Sequence, residues 1–298
     1  MKIAITGASG FIGRNCLDHW PDALSFDKRI TTHHITHCQD MLWGENQIYD
    51  FAGVYAVVHL ASETSVRSGL SCKELLRINV GLAMNVYASC VEHKVPLMIN
   101  VSSSSVYGSI RPPFSEEQVP HPLSNYAVSK LAAEHWLNLA AYQTEGSGPS
   151  VVNLRLFNAL GSYQRENMFP YIILDCLRLG VPVPIFNEMY RAWTPVDYIV
   201  KCIDMLITEG NYAKGESYTF NYGTNTPLTQ VQFIAMMADK LNIDIPTEKV
   251  AGGYNLEMAI TLPDVLAIRR FIDPPLPGAK QIGDAIADVF AYYNSDRV

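Results

Sequence analysis

No apolar run in these 298 residues approaches the ~20 needed to cross a bilayer, so a membrane protein is not expected. The N-terminus enters a strand-like run with no basic stretch before it, so no secretory signal is expected either. Basic charge is also in short supply. A formal net charge of −7 argues against nucleic acid as the main partner, while leaving anionic ligands open to local donors. Cysteine pairs of the C-x-x-C type are missing. The six cysteines (Cys16, Cys38, Cys72, Cys90, Cys176, Cys202) are scattered, as suits reduced thiols packed as small apolar groups in the cytoplasm. His33, His34, His37 and Cys38 invite a metal reading, but they fall in an alternating strand-like segment. His34 and His37 would then point to opposite faces, so no metal site is expected. Repeats and low-complexity linkers are absent. With 48% apolar and 17% charged residues, the chain has the composition of a folded protein rather than a disordered one.

What is present begins at the N-terminus. Met1 to Ile5 reads as a buried strand, Thr6-Gly7-Ala8-Ser9-Gly10-Phe11-Ile12-Gly13 as a glycine turn, and Phe11 to Trp20 as a helix. Strand, glycine turn and helix N-terminus in that order suit a dinucleotide diphosphate. The glycines allow close backbone approach, and the helix start offers unpaired N–H groups to the charge. Asp27 follows Gly7 by twenty residues at the end of a second strand-like run, Ala23 to Phe26, where an acid accepts the ribose hydroxyls of an adenosine. Asp27 would repel the 2′-phosphate of NADP, although Lys28 and Arg29 partly offset this, so NAD is favoured over NADP.

Strands and helices then alternate. Strand-like runs at Val54–Leu60, Val95–Ser102 and Ser150–Phe157 are separated by helical patterns at Ser71–His93 and Asn125–Gln143. Continuous apolar strands with helices between them predict an α/β fold with a doubly wound parallel sheet covered on both faces. After Gly161 the rhythm loosens. Pro182 and Pro184 bracket a loop or short strand. Thr194–Leu206 reads as a helix, Tyr218–Tyr222 as a strand, and Thr229–Leu241 and Gln281–Tyr293 as helices. The expected division is a dinucleotide-binding domain over 1–160, to which segments near 190–222 return, and a smaller C-terminal substrate lobe over 161–298.

Tyr126 and Lys130 are four apart on a predicted helix and so share a face one turn apart. A lysine ammonium and an oxidised nicotinamide favour the phenolate, which fits Tyr126 to take a hydroxyl proton as the adjacent carbon gives up a hydride. The alternative is an ordinary amphipathic helix, with Tyr126 in the core and Lys130 extending to water. Ser102-Ser103-Ser104-Ser105-Val106-Tyr107-Gly108 lies about 20 residues earlier at the end of a strand, where a serine hydroxyl can donate to the same substrate oxygen.

Together with His59-Leu60-Ala61-Ser62, Asn79, Leu154-Arg155-Leu156-Phe157-Asn158, Arg191-x-Trp193-x-x-Val196-Asp197 and the late Pro263-Asp264, these motifs span nearly the whole chain. In this order they resemble the extended short-chain dehydrogenases/reductases of the nucleotide-sugar epimerase/dehydratase branch, with a Rossmann sheet. The resemblance implies Ser103, Tyr126 and Lys130 as the catalytic triad. It implies cofactor contacts from Gly7, Gly10, Phe11, Ile12, Gly13, Asp27, Lys28, Asp40, Leu60, Ala61, Ser62 and Asn79, together with Tyr126 and Lys130. Substrate contacts fall to Thr64, Ser103, Asn158 and Arg191.

Departures from the family pattern narrow the chemistry. Sugar 4,6-dehydratases carry an acid pair directly after the catalytic Thr, where this chain has Ser104 and Ser105, and the Glu of nucleotide-sugar decarboxylases is also missing. A second diphosphate-binding arginine is absent between Val250 and Leu262, and Ala159 replaces the proline that usually follows the Asn158 position. Hydride and proton exchange at one carbon remains. The expectation is a cytoplasmic, NAD-dependent nucleotide-sugar 4-epimerase acting through a transient 4-keto sugar, with a homodimer as its relatives often form. A reductase of keto-sugar nucleotides or other carbonyls is the first alternative, and a non-catalytic redox-sensing dinucleotide binder is the second.

Overall fold

Seven parallel strands are drawn from two separated stretches of sequence, and this arrangement sets where ligands can bind. The computed structural model describes residues 1–28, 37–38, 48–64, 69–108, 110–164, 166, 168–186, 189–250 and 260–295. Asp40, Arg29, His33 and His34 lie outside the described residues. In chain order the first half runs β1 Ile3–Thr6, α1 Phe11–His19, β2 Leu24–Asp27, β3 His37–Cys38, β4 Ala56–His59, α2 Cys72–Glu92, β5 Leu97–Ser103, α3 Asn125–Gln143 and β6 Ser150–Leu156. The second half runs β7 Ala159–Leu160, α4 Phe169–Leu179, β8 Val183–Ile185, β9 Tyr190–Arg191, β10 Thr194–Pro195, α5 Val196–Thr208, β11 Ser217–Tyr222, β12 Leu228–Thr229, α6 Gln230–Leu241, β13 Thr247–Lys249, β14 Ile260–Thr261, α7 Leu266–Phe271 and α8 Ala279–Ser295.

The large sheet has the order β11-β6-β5-β4-β1-β2-β3. Its strands are buried on both faces because alternate side chains feed two separate cores. Ile3, Ile5, Val58, Ile99 and Leu154 face the layer containing α5, with Ile199, Ile203 and Leu206. Ala4, Val57, Met98 and Val151 face α2 and α3, with Leu82, Val86 and Leu137. The order reverses between β2 and β4 on either side of β1, which opens a crevice at the carboxyl ends of β1 and β4.

The second half forms three small sheets, β10-β7, β12-β9-β14 and β13-β8, around a core of α4, α6 and α8 that includes Trp193 and Phe233. β11 returns to the edge of the large sheet beside β6. Residues 265–272 also pack with the large sheet, through Val265, Ile268 and Ile272, so this part of the late chain is not confined to the lobe.

Thr194 and Pro195 pair with β7 instead of opening the helix read from the sequence, and α5 starts at Val196 with Pro195 as its N-cap. Pro195 has an extended ψ of 134° and pairs with Leu160, so the helix begins after it. The helix at Asn125–Gln143 has the bounds read from the sequence, and Ser124 caps it by accepting from the Ala127 N–H at 3.2 Å. Among the described residues no helix is long and apolar enough to cross a membrane, and no group of His, Cys, Asp or Glu could hold a metal ion.

Candidate active site

The glycine turn sits at the switch point of the sheet. Gly7 has φ +72°, and a Cβ there would stand 2.6 Å from the Ala61 backbone nitrogen, so only glycine lets the turn lie against the end of β4. Leu60 N–H donates to the Thr6 carbonyl at 3.0 Å, which places Leu60, Ala61 and Ser62 alongside the turn. Gly10 is the N-cap of α1, with no side-chain cap and no acid in the first turn. No side chain therefore caps the first N–H groups, at Phe11, Ile12 and Gly13, and no carboxylate there competes with an anion for them. Gly13 has no room for a side chain either, since a Cβ would press on Ala8 and on the Gly7 carbonyl.

Asp27 is buried at the end of β2, and its Oδ2 accepts from the Ser9 N–H at 3.0 Å. Lys28 beside it is exposed. Ser9 was not singled out by the sequence reading. Its hydroxyl is buried and has no hydrogen-bond partner among the described residues, so the turn holds an unpaired donor within the proposed dinucleotide cradle. Two crowded glycines, an uncapped helix start and this hydroxyl fit a dinucleotide diphosphate and its adenosine ribose.

Asn79 on α2 is fully engaged by protein. Its Oδ1 accepts from the Glu63 N–H (2.8 Å) and the Ser62 hydroxyl (3.1 Å), and its Nδ2 donates to Ser129 Oγ (2.8 Å) and the Glu63 carbonyl (3.1 Å). Ser129 in turn donates to the Tyr126 carbonyl at 2.7 Å. Asn79 therefore ties the 62–63 segment, with Thr64 next to it, to the helix that carries Tyr126.

β5 ends at Ser103, which caps a 3₁₀ turn over Ser104–Tyr107. Ser103 Oγ accepts from the Ser105 N–H (3.2 Å) and the Ser105 hydroxyl (2.9 Å). With two bonds accepted, its own proton is left to donate. Gly108 closes the turn with φ +55°, where any Cβ would collide with the His121 carbonyl.

Tyr126 is partly buried in the first turn of α3. One turn later, Lys130 is 7% exposed and its Nζ donates to the Val101 carbonyl at 2.8 Å. It does not extend to water along an amphipathic face. Burial pushes the lysine down to about 8, with the nearby Glu134 carboxylate acting in the opposite direction. On β4, His59 Nδ1 lies 2.7 Å from the Thr6 hydroxyl. Burial first and the Lys130 charge second lower His59 to about 3, so it is neutral.

Because the unfolded chain protonates this histidine near 6.5, its contribution to stability is complete above that pH and is lost as pH falls toward about 3. The expected slope reaches about 1.4 kcal/mol per pH unit. Urea unfolding across this range should show His59→Gln losing that part of the slope. Parallel curves for variant and wild type would refute the assignment.

The candidate substrate residues lie where the sheet meets the lobe. Asn158 has φ +26°, and its Nδ2 donates to Thr261 Oγ1 (2.7 Å) and to the Ala192 carbonyl (3.3 Å). It thereby fixes the exit of β6 to β14 and to the residue following Arg191. Arg191 is partly buried on β9, with Nη2 3.5 Å from Met189 Sδ. A cleft lined by Ile185, Phe186, Met189, Tyr190 and Gln230 lies beside it.

One element of the site was not read from the sequence. Arg155 and Glu134 form a buried ion pair at 2.7 Å behind the Ser103 turn. The spacing of Glu134 four residues after Lys130, and a charged residue inside a continuous apolar strand, were the signals present.

Residues 3–223 match the model of the NAD dependent epimerase/dehydratase family. The chain is 25% identical to YtcB of Bacillus subtilis, described as an uncharacterized UDP-glucose epimerase, over 99% of this chain and 98% of that protein. It is also 25% identical to the dTDP-glucose 4,6-dehydratase of Haemophilus influenzae, over 83% of this chain and 82% of the enzyme. Among solved structures, MoeE5 in complex with UDP-glucuronic acid and NAD superposes with a TM-score of 0.85 at 27% identity, covering 99% of this chain and all of the other. With the family model matching from the first strand to the last strand of the large sheet, this chain belongs to the NAD dependent epimerase/dehydratase family.

Proposed function

We propose that this protein is an NAD-dependent 4-epimerase of nucleotide sugars. The observation that carries the reading is the carboxyl edge of β5. There the Ser103 hydroxyl is held as a donor, Ser104 and Ser105 stand where the dehydratases carry acids, and Tyr126 and Lys130 come from the adjacent helix. The likeness to MoeE5 in complex with UDP-glucuronic acid and NAD, and to the same protein in complex with UDP-glucose and NAD, supports both the cofactor and the substrate class.

Gly7, Ser9, Gly10, Phe11, Ile12 and Gly13 would hold the diphosphate of NAD, and Asp27 its ribose, with Lys28 at the rim. Leu60, Ala61 and Ser62 would run beside the cofactor, steadied by Asn79. When bound, NAD supplies the acceptor of hydride from carbon 4 and, once reduced, the donor. Tyr126 takes the proton of the 4-hydroxyl and returns it to the same oxygen. Lys130, with one ammonium hydrogen on Val101, has others to offer the nicotinamide ribose, and its charge favours the phenolate. Ser103 donates to the sugar oxygen, where negative charge develops on the 4-keto side of the reaction. Arg191 grips the sugar-nucleotide diphosphate, with Asn158 shaping that end through Ala192 and Thr64 near the sugar. The same reading includes a cytoplasmic setting and a homodimer through the outer faces of α2 and α3, where Met84, Leu139 and Tyr142 are exposed.

Denaturing the purified protein should release close to one NAD per chain, identified by mass spectrometry. The intact protein should convert UDP-glucose or UDP-glucuronic acid to its 4-epimer with no added nucleotide. Absence of bound NAD, with turnover of keto-sugars only when NADPH is supplied, would replace this reading with the reductase.

A further inference from the structure

Glu134 lies one helical turn beyond Lys130, and both side chains are buried between α3 and the sheet. Its carboxylate accepts from the Ser102 hydroxyl on β5, from Arg155 Nε at 3.1 Å and from Arg155 Nη2 at 2.7 Å on β6. Arg155 Nη1 donates to the Tyr107 hydroxyl at 2.9 Å, and that hydroxyl donates to Asn221 Oδ1 at 2.8 Å on β11. Asn221 Nδ2 donates to the Phe114 carbonyl at 2.8 Å. The network thus runs from the residue before Ser103 across three strands.

A buried ion pair is a poor source of stability, because desolvation offsets most of its attraction and apolar packing does as well. Its position calls for another account. We propose that Glu134 is a positioning residue for the proton transfer at Tyr126: it sets a buried carboxylate one helical turn from the Lys130 ammonium and, through Ser102, fixes the end of β5 that presents Ser103. This rests on the reading of Tyr126 as the base.

The titratable and charged groups around Lys130 are Tyr126 and Glu134 from α3, His59 from β4 and Arg155 from β6. His59 is neutral and Arg155 is positive, so Glu134 is the one anion facing the lysine among these groups. Without it the lysine loses its charge at lower pH, the Tyr126 phenol loses its neighbouring cation, and ionising the phenol requires higher pH.

The test is Glu134→Gln, read two ways. One is the pH dependence of kcat/KM for UDP-glucose. The other is the near-ultraviolet phenolate absorbance of Tyr126, isolated as the difference between each protein and the same protein carrying Tyr126→Phe. Both midpoints should move up by about one pH unit, with about tenfold lower kcat/KM on the acid side. Glu134→Asp, which keeps the charge, should return both midpoints toward wild type. Unmoved midpoints in Glu134→Gln, whatever its melting temperature, would overturn the proposal and leave Glu134 a packing residue. Should the single variant fail to fold, Glu134→Gln with Arg155→Met removes both charges. Glu134, and not Arg155, is the charge that acts on Lys130, so the midpoints of the double variant should still rise, by less than a full unit because the opposing charge goes too. Midpoints at or below wild type overturn the proposal. Full turnover in Tyr126→Phe alone would instead defeat the reading of the site itself.

Discussion

Tyr126→Phe is expected to lower turnover by about three orders of magnitude while leaving the fold and bound NAD in place. The size follows from what is removed, since a positioned general acid–base contributes roughly 10² to 10⁴ in rate. The selectivity follows from the surroundings. Tyr126 is only partly buried, and the helix around it is held by Ser124 at the cap and by Ser129 bridging Asn79 to the Tyr126 carbonyl. None of these contacts uses the phenol oxygen. NAD content by mass spectrometry, melting temperature and kcat measured together check the result. Turnover within a few-fold of wild type would remove Tyr126 from the chemistry. Loss of NAD in parallel with activity would make it a binding residue instead.

Arg155→Met should have the largest effect on stability, a loss of about 3–5 kcal/mol. The methionine keeps much of the volume but withdraws the guanidinium from Glu134, which is 1% exposed and would be left as an unpaired buried carboxylate. The Tyr107 hydroxyl loses a donor in the same change. Adding Glu134→Gln should recover part of the loss, because it removes the stranded charge. Chemical denaturation of the single and double variants measures both terms. A single variant within about 1 kcal/mol of wild type would show that this pair contributes no more than an exposed one does.

The fold was legible wherever local pattern and tertiary context agree. α3 carries its own start signal at Ser124, and the β1 turn announces itself because only glycine fits between β1 and Ala61. The short strands of the lobe were not legible. β7, β9, β10, β12 and β14 are two residues each, too short for any period to register, and they exist because distant segments meet. Of the candidate site, the Tyr126–Lys130 pair was suggested by residue type and spacing, whereas Ser103 was singled out among four serines only through the family resemblance. Asn79 and Asn158 are different. Sequence shows that an amide is present, but only the structure shows their N–H groups spent on Ser129 and Glu63, or on Thr261 and Ala192. Glu134 and Arg155 were hidden for a related reason, since a charge in a helix or strand is ordinarily read as solvated until its partner is seen.

The last strand of the large sheet has a bearing on how the chain reaches its native state. β6 and β11 lie side by side, yet about sixty residues, including α5, separate them in sequence. Their pairing closes a longer loop than that between β1 and β2, so it costs more chain entropy than that contact. Until it forms, β6 is an open edge whose N–H and C=O groups are available to any other strand. A chain ending after Leu156 would keep the dinucleotide turn and all three proposed catalytic residues and still expose that edge. The large sheet is therefore completed at that edge only by a strand from the second half of the chain.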